Sequence, residues 1–326
     1  MVFVREYDGV DVTDLEVWRD DSLKYMRRHV KDLLQGADAS WEVVIKNDAH
    51  YQHVLQVEVD GLEVDLLLAP DCAGGNAGRK WACMQHRRLT RPLLHAPAAA
   101  SFDLVRHRAD SAALNQFYIA ASDEAKEVMR FVKGLYKSGI PSDQDHERIR
   151  SVSLEVLVLA AGQQLRSNRQ CRKQRRGKVY KLQLFVEFLR LVVAAVKQRK
   201  VVMLDASYWC RAVRPYGYTR EVGMQYDHIW GNDRVQIIHP TDFTCNLERA
   251  PEGRAPSDWS GLVRLAELLL CVLDSDSPSY FWLQPQVLHA MRAYGGDLKW
   301  MAWVEDVCLP TLRRLIRPKE NKASRR

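Results

Sequence analysis

Apolar and polar residues alternate through HVLQVEVDGLEVDLLLAP, residues 53–70, and this pattern predicts a β-hairpin. Two runs rich in β-branched and apolar residues flank Asp60-Gly61, a dipeptide typical of a two-residue hairpin turn. On the returning strand the even-numbered, apolar positions share one face, and Glu63 and Asp65 share the other. A carboxylate in an apolar strand is costly to bury without a cation. Taken alone, the stretch therefore favours an edge strand with one face in water.

From residue 122 onward the apolar period changes from two to about 3.6 residues, which is typical of helices. The clearest helix is capped by Ser122 or Asp123 and ends near Tyr136, before Gly139. Its predicted buried stripe consists of Ala125, Val128, Val132 and Leu135, and an opposite basic stripe consists of Lys126, Arg130, Lys133 and Lys137. We therefore expect this helix to bury one face and to present a positively charged one to solvent.

The remaining pattern divides the chain into a mixed α/β part and a helical part. Further helices are predicted at 14–34, 149–161, 182–197 and from Ser257 or Asp258 to 270, and strands at 1–4, 41–45 and 235–238. Residues 149–161 are apolar on nearly every side, so this helix is expected to be central. We predict an α+β protein with a mixed-sheet lobe at 1–120, a helical lobe at 121–284, and an amphipathic extension with a basic tail at 285–326.

Composition and charge indicate which class of partner and which cell compartment suit such a protein. The 326 residues include 48 Lys and Arg against 41 Asp and Glu, a formal charge of +7 that favours a polyanionic partner. The 7 cysteines form no CxxC pair, which is typical of reduced thiols in a cytosolic or nuclear protein. Glu187 and Arg190 interrupt the most apolar run, 184–196, so we expect no membrane span.

Five segments then occur in an order that carries a family resemblance. They are VDLLLAPD (64–71), FVKGLYK (131–137), SLEVLVLAA (153–161), IIHPTDFTCNL (237–247) and DWSGLVRLAELLL (258–270). The series resembles the 2′-5′-oligoadenylate synthases and, through them, the group that includes cyclic GMP-AMP synthase. The resemblance implies a two-lobed, polymerase-beta-like nucleotidyltransferase fold. It also implies conversion of ATP into 2′-5′-linked oligoadenylate when double-stranded RNA is sensed in innate immunity.

The resemblance assigns roles to particular residues. In these enzymes two Mg²⁺ ions hold the phosphates in line, and three carboxylates hold the ions, two from a D-x-D and one from the neighbouring strand. Asp65 matches the third carboxylate and is thus the implied catalytic and metal residue, with Glu63 beside it. Lys133 matches a lysine that contacts the donor triphosphate, and Ser151 matches a serine of the cyclic-dinucleotide branch that can donate to a phosphate.

Each of these matches has a plainer alternative. Lys133 also fits an ordinary solvated helix lysine, and Glu155 fits a buried, paired structural acid better than a catalytic one. Asp242 matches the second acid of a family D-P-A-D segment, in which His239 replaces the first. We expect both of these residues to set the conformation of a loop.

One part of the family pattern is missing from the printed sequence. The phosphate-binding Gly-Ser and the D-x-D both belong ahead of Met1, since Met1 to Val4 matches the strand that follows them. Asp8, Asp11 and Asp14 are spaced at three in a loop and are not expected to substitute. We therefore expect the chain as written to be inactive, either as a piece of a longer enzyme or as a relative that lost catalysis.

The basic residues raise the question of RNA. A broad basic face suits double-stranded RNA, which is read through phosphates and 2′-hydroxyls. The candidates are Arg27, Lys31, Lys126 and Arg130, with the basic segment 166–181 as another surface. Two alternatives remain to the synthase: a cyclic dinucleotide synthase of the same fold, and a catalytically dead RNA-binding scaffold.

Overall fold

The computed structural model describes the chain in several stretches. These are residues 2–4, 6–7, 10–11, 36, 40, 42–46, 54–70, 91–95, 111–139, 147–167, 178–250 and 253–273. The chain divides into two compact units, one formed by Met1–Arg91 with Asp103–Gln116 and the other by Pro92–Phe102 with Phe117–Arg326. The predicted helix at 14–34 and the predicted extension at 285–326 lie outside the described residues.

The first unit contains a four-stranded mixed sheet. Its strands are β1 (Val2–Val4), β4 (Val43–Lys46), β5 (Val54–Val59) and β6 (Leu62–Pro70), in the order β1-β6-β5-β4. Strands β4, β5 and β6 are antiparallel neighbours, whereas β1 runs parallel to β6. Two short strands, β2 (Glu6–Tyr7) and β3 (Val10–Asp11), form a separate antiparallel ladder.

The predicted hairpin is confirmed, together with its turn. Asp60 and Gly61 have φ values of 51° and 77°, the left-handed pair that a two-residue turn of this kind requires. Asp60 also fixes the turn to the neighbouring chain, because its Oδ1 accepts a hydrogen bond of 2.9 Å from the Glu42 amide. Its own amide donates to the Glu42 carbonyl at 3.0 Å.

The edge-strand interpretation of residues 62–70 is wrong. In the strand order β6 lies between β5 and β1, with residues 62–67 paired to β5 on one edge and residues 68–70 paired to β1 on the other. Its partner β1 is more than sixty positions away in the sequence, which is why the local pattern could not reveal it. Val57 is buried and lies opposite Val64, so this row belongs to the packed face, whereas Glu63 on the other face is exposed.

The second unit is helical. Its helices are α2 (Asp123–Gly139), α3 (Ser151–Ser167), α4 (Lys178–Lys197), α5 (Arg220–Met224), α6 (Asp227–Trp230) and α7 (Ser260–Leu273). A further helix, α1 (Ser111–Ala120), crosses the boundary between the units and belongs to the second one from Phe117 onward. Short 3-10 helices occur at Arg91–His95, Ala206–Tyr208 and Arg214–Tyr216. None of the helices in the described ranges combines the length and the apolar character that crossing a bilayer requires.

The core of this unit is built around α3, as the sequence predicts. Leu157 and Val158 are completely buried, and α3 packs against α2 and α4. The rings of Phe131 in α2 and Phe185 in α4 meet edge to face, with centroids 5.1 Å apart. The predicted buried stripe of α2 is confirmed, because all four of its members are buried.

The helix boundaries show where local signals were incomplete. Ser122 is the cap of α2, since its Oγ accepts a hydrogen bond of 3.2 Å from the Ala125 amide. The helix continues through Gly139 instead of ending near Tyr136. Helix α4 begins at Lys178, inside the segment predicted to be a basic loop. Together the described elements make an α+β protein that is mainly helical with a small sheet.

Candidate nucleotide-binding site

Lys133 forms a partly buried ion pair with Glu155. Its Nζ donates to Oε1 of Glu155 at 2.6 Å, and the two side chains are 32% and 18% exposed. The pair joins α2 to α3, because the two residues occupy facing positions on these packed helices. Glu155 is therefore the paired structural acid that the sequence predicts. Lys133 is not the solvated member of a basic stripe.

Tyr118 completes the surroundings of this pair. Its buried hydroxyl lies beside the Glu155 carboxylate without a hydrogen bond of ordinary geometry. Burial first, and then the neighbouring carboxylate, raises the pKa of Tyr118 well above its ordinary value, so this side chain stays protonated. Sequence reasoning missed Tyr118, because α1 itself was not predicted.

Ser151 is the first residue of α3 and is half-buried. The amides of Ser153 and Leu154 donate to the carbonyl of Arg150, which places Arg150 at the cap of the helix. The first amides of a helix have no partner within it, and their dipoles favour an anion. Ser151 thus offers a hydroxyl at a position that suits a phosphate oxygen.

Behind Ser151 lies a buried polar network. The Ser153 hydroxyl donates to Glu248 Oε1 at 2.5 Å, and the Trp259 indole donates to Glu248 Oε2 at 3.0 Å. Burial raises the pKa of Glu248, and the hydrogen bonds from Ser153, Ser257 and Trp259 act against that rise. Glu248 follows directly after the segment 237–247, and this proximity was the only signal that could have drawn attention to it.

The segment 237–247 owes its conformation to its own side chains. Nδ1 of His239 accepts hydrogen bonds from the amides of Thr241 (3.3 Å) and Asp242 (3.2 Å). Oδ1 of Asp242 accepts from the amide and the hydroxyl of Thr244, at 3.0 and 2.6 Å. His239 and Asp242 therefore set a loop, as expected from the sequence.

Asn246 anchors the end of the same loop. Its Oδ1 accepts from the Ile237 and Glu248 amides, and its Nδ2 donates to Asp233 Oδ2 and to the Val235 carbonyl. Because both hydrogens and both acceptor positions of the amide are used, the loop has little freedom to rearrange.

Asp65 belongs to the first unit and lies in the interior strand β6. It is opposite Gln56, which in turn is opposite Lys46, so these three residues form one row across β6, β5 and β4. Glu63 lies two positions away on the same face. Carboxylate oxygens are the ligands that Mg²⁺ prefers.

The carboxylates of Asp65 and Glu63 on β6 are therefore of the ligand type that Mg²⁺ prefers, but the described residues do not form a complete metal site. Within them, no three His, Cys, Asp or Glu side chains cluster in a way that could hold a metal ion. A two-ion site requires acids beyond those that the described strands supply. The metal assignment of Asp65 thus rests on its position in the sheet and on the family resemblance.

The predicted RNA-binding residues are partly described. Lys126 and Arg130 lie one turn apart on α2, and Arg130 is exposed. Lys126 is 39% exposed, and its Nζ donates to the Ile119 carbonyl at 3.3 Å. Arg27 and Lys31 lie outside the described residues.

The second predicted basic surface, segment 166–181, is engaged at both ends. Arg166 belongs to α3 and lies over the ring of Trp209, 4.9 Å from its centroid. Lys181 belongs to α4 and forms an ion pair with Glu127. These two charges contribute to packing within the helical unit. Residues 168–177 lie outside the described part of the chain.

Comparison with known proteins gives no relative for this chain. No family model matches it, and neither a curated protein nor a solved structure matches it.

Proposed function

We propose that the chain is a nucleotidyltransferase of the 2′-5′-oligoadenylate synthase type, inactive as written because two of the three metal carboxylates are missing, with ATP and Mg²⁺ as the ligands and double-stranded RNA as the partner of the complete enzyme. The finer fold, a polymerase-beta-like nucleotidyltransferase, is part of this proposal. Asp65 is assigned to the metal, Lys133 and Ser151 to the triphosphate, and Lys126 and Arg130 to the RNA. Bound Mg²⁺ would neutralise the phosphate charge during attack of a nucleotide hydroxyl on the α-phosphorus.

The observation that carries the proposal is the parallel pairing of β1 with β6. In the family that the chain resembles, the third metal carboxylate lies on the strand next to the one that follows D-x-D. Here β6, which carries Asp65, is the direct neighbour of β1, and Val2 is in register with Leu68. Because the pair is parallel, a D-x-D directly ahead of Val2 would extend β1 toward the level of Asp65.

A second feature supports phosphate binding in the helical unit. Ser151 occupies the first turn of a 17-residue helix, where amide dipoles and a hydroxyl can bind phosphate oxygens together. The network from Ser153 through Glu248 to Trp259 fixes the turn behind it. A fixed turn loses little entropy when a ligand binds.

The ion pair of Lys133 favours a second candidate, an RNA-binding scaffold without catalysis. Its ammonium is held by Glu155 at 2.6 Å, so a triphosphate would have to compete with that carboxylate. In a scaffold this pair would serve packing alone. The cyclic dinucleotide synthase keeps the same residues as the main proposal and differs from it in the product.

The test compares the 326-residue chain with the same chain extended by a segment that supplies Gly-Ser and D-x-D ahead of Met1, each with Mg²⁺, long double-stranded RNA and either ATP or ATP with GTP. Pyrophosphate release and product analysis are the measurements. The proposal expects linear 2′-5′ oligoadenylate from the extended chain and no pyrophosphate release from the chain as written. It also expects that Asp65→Asn abolishes release while the melting temperature stays unchanged. A cyclic product would select the dinucleotide synthase, and release that persists in Asp65→Asn would refute the assignment of Asp65.

ATP binding separates the enzyme from the scaffold. Lys133→Ala should weaken ATP binding in a titration by about 1.5–3 kcal/mol, because it removes one charge-assisted contact. Lys181→Ala is the matched control, since Lys181 also forms a partly buried ion pair with a glutamate, Glu127, on a neighbouring helix. RNA binding without any ATP binding, in the parent chain and in both variants, would favour the scaffold.

A further inference from the structure

The second unit contains a cleft that none of the three proposed nucleotide-contacting residues lines. It encloses about 1310 Å³. Its walls are the C-terminal end of α4, the loop at 233–235, the segment 248–250, and residues 256–267 at the start of α7. Asp65, Lys133 and Ser151 are not among the lining residues, although Glu248 and Trp259, which fix the turn behind Ser151, are.

Most charges in the cleft are neutralised by partners within the protein. Asp233 holds Arg249 in a two-pronged ion pair, with contacts of 3.0 Å to Nε and 3.1 Å to Nη2. Lys197 pairs with Glu267. The carboxylate of Glu248 accepts hydrogen bonds on both oxygens. These hydrogen bonds and ion pairs form a stiff wall.

Two arginines remain after this pairing. The remaining acid of the lining, Asp258, lies just ahead of α7, where its Oδ1 accepts a hydrogen bond of 2.8 Å from the Ser260 amide. Arg234 and Arg264 are both exposed and both line the cleft. Among the described residues, neither of them forms an ion pair with a carboxylate. The lining holds four cations and four acids and is formally balanced, but two guanidinium groups, one from the 233–235 loop and one from α7, stay free to contact a ligand.

We propose that this cleft binds a phosphorylated small molecule, with Arg234 and Arg264 as its phosphate contacts. A guanidinium presents paired N–H donors that match phosphate oxygens, and two of them on separate elements suit a ligand with more than one phosphate group. The volume exceeds the range of about 300–1,000 Å³ that is typical of small-molecule sites, so the cleft has room for a molecule of nucleotide size. Because Arg249 and Trp259 are already fixed, the wall needs little ordering when the ligand binds.

The experiment is a calorimetric titration of the 326-residue chain with inorganic tripolyphosphate and, in parallel, with citrate. The two probes share negative charge but present phosphate and carboxylate oxygens respectively. We expect saturable binding of tripolyphosphate that is tighter than that of citrate. Arg234→Ala and Arg264→Ala should each weaken it on the order of tenfold. The matched control is Arg220→Ala, an exposed arginine outside the cleft, which should leave the affinity unchanged.

Two further variants separate this site from the proposed function. Because Lys133 and Ser151 are themselves proposed to bind a triphosphate, the titrations are repeated in Asp65→Asn and Lys133→Ala backgrounds, where Arg234→Ala and Arg264→Ala should still weaken the tripolyphosphate binding that remains. Thermal melting of each variant checks that the fold is intact, and Arg→Lys at 234 and 264 serves where an alanine variant is unstable. The proposal is overturned if the parent chain shows no saturable binding, if citrate binds as tightly as tripolyphosphate, or if Arg220→Ala loses as much affinity as the cleft variants.

Discussion

The ammonium of Lys133 lies 2.6 Å from the carboxylate of Glu155, across the contact between α2 and α3. Glu155 is only 18% exposed, and the Tyr118 hydroxyl lies next to it. A carboxylate in such a place depends on its cation, because the surrounding protein solvates a charge poorly. Lys133 is therefore needed by the fold, whatever it also binds.

This dependence predicts a measurable coupling between the two residues. Lys133→Met should lower the free energy of unfolding by about 1–3 kcal/mol, because Glu155 loses its partner in a partly buried place. Glu155→Leu should cost a similar amount, and the double variant should cost clearly less than the sum. Urea denaturation of the parent chain and the three variants measures the cycle.

The Lys197–Glu267 pair is the control for this cycle. Its side chains are 53% and 32% exposed, so its coupling should stay within about 0.2–1 kcal/mol. Equal coupling in the two pairs would show that burial is not what makes the Lys133 pair important.

Two glycines should respond to alanine in opposite directions. Gly61 has a φ of 77° in the hairpin turn, so Gly61→Ala should destabilise the protein by about 1–2 kcal/mol. Gly134 lies inside α2, and a methyl group added there would have no neighbouring atom within 4 Å. Gly134→Ala should therefore stabilise the protein by about 0.5–1 kcal/mol. A methyl group added at position 61 also meets no neighbour, which leaves backbone strain as the cause of its effect.

Denaturant unfolding compares both glycine variants with the parent chain. A loss of stability at both positions would contradict the helical placement of Gly134. A gain at both would contradict the left-handed turn at Gly61.

Glu248 predicts a pH dependence. Burial raises its pKa in the folded state above the unfolded value, so the folded protein binds this proton more tightly than the unfolded chain. The resulting stability is fully present below the unfolded pKa and is lost as the pH rises through the folded pKa. Relative to Glu248→Gln, the parent chain should therefore become less stable as the pH rises from the ordinary glutamate range toward neutrality.

Thermal unfolding of both proteins at a series of pH values measures this difference. Comparison of the two proteins removes the contribution of other carboxylates, because these are common to both. Glu221→Gln, at an exposed site in α5, should follow the parent chain throughout. A difference that grows in favour of the parent chain with rising pH would show that the carboxylate form is the one the fold prefers.

The parts of the fold that could be predicted are those specified by neighbours in sequence. Asp60-Gly61 is sufficient to define its turn, and Ser122 with the apolar stripe is sufficient to define the start and the buried face of α2. The pairing of β1 with β6 could not be predicted from the local pattern, because it joins Val2 to Leu68, and only the family resemblance implied that the two strands are neighbours. The start of α4 was missed because its first turn, from Lys178, continues a basic segment.

The candidate site follows the same rule. An acid inside an apolar helix is expected to be partly buried and to need a cation, and this much could be inferred for Glu155. Its partner Lys133 lies 22 positions away and is determined by the packing of α2 on α3. The contact between Ser153 and Glu248 spans 95 positions and depends on the whole helical unit. Sequence patterns thus indicate which residues need partners, and the tertiary structure decides which partners they receive.

Double-stranded RNA binding can be tested on the chain itself, since Lys126 and Arg130 lie together on α2. The double reversal Lys126→Glu/Arg130→Glu should weaken binding and lower the slope of log affinity against log salt by about one for each cation removed. The double reversal Arg190→Glu/Arg254→Glu makes the same change in charge at two arginines that form exposed ion pairs, and it should have a smaller effect. Fluorescence titration at two salt concentrations, with two RNA duplexes of different sequence, measures both quantities. Equal losses in the two double variants would mean that the net charge of +7, and not a face on α2, attracts the RNA.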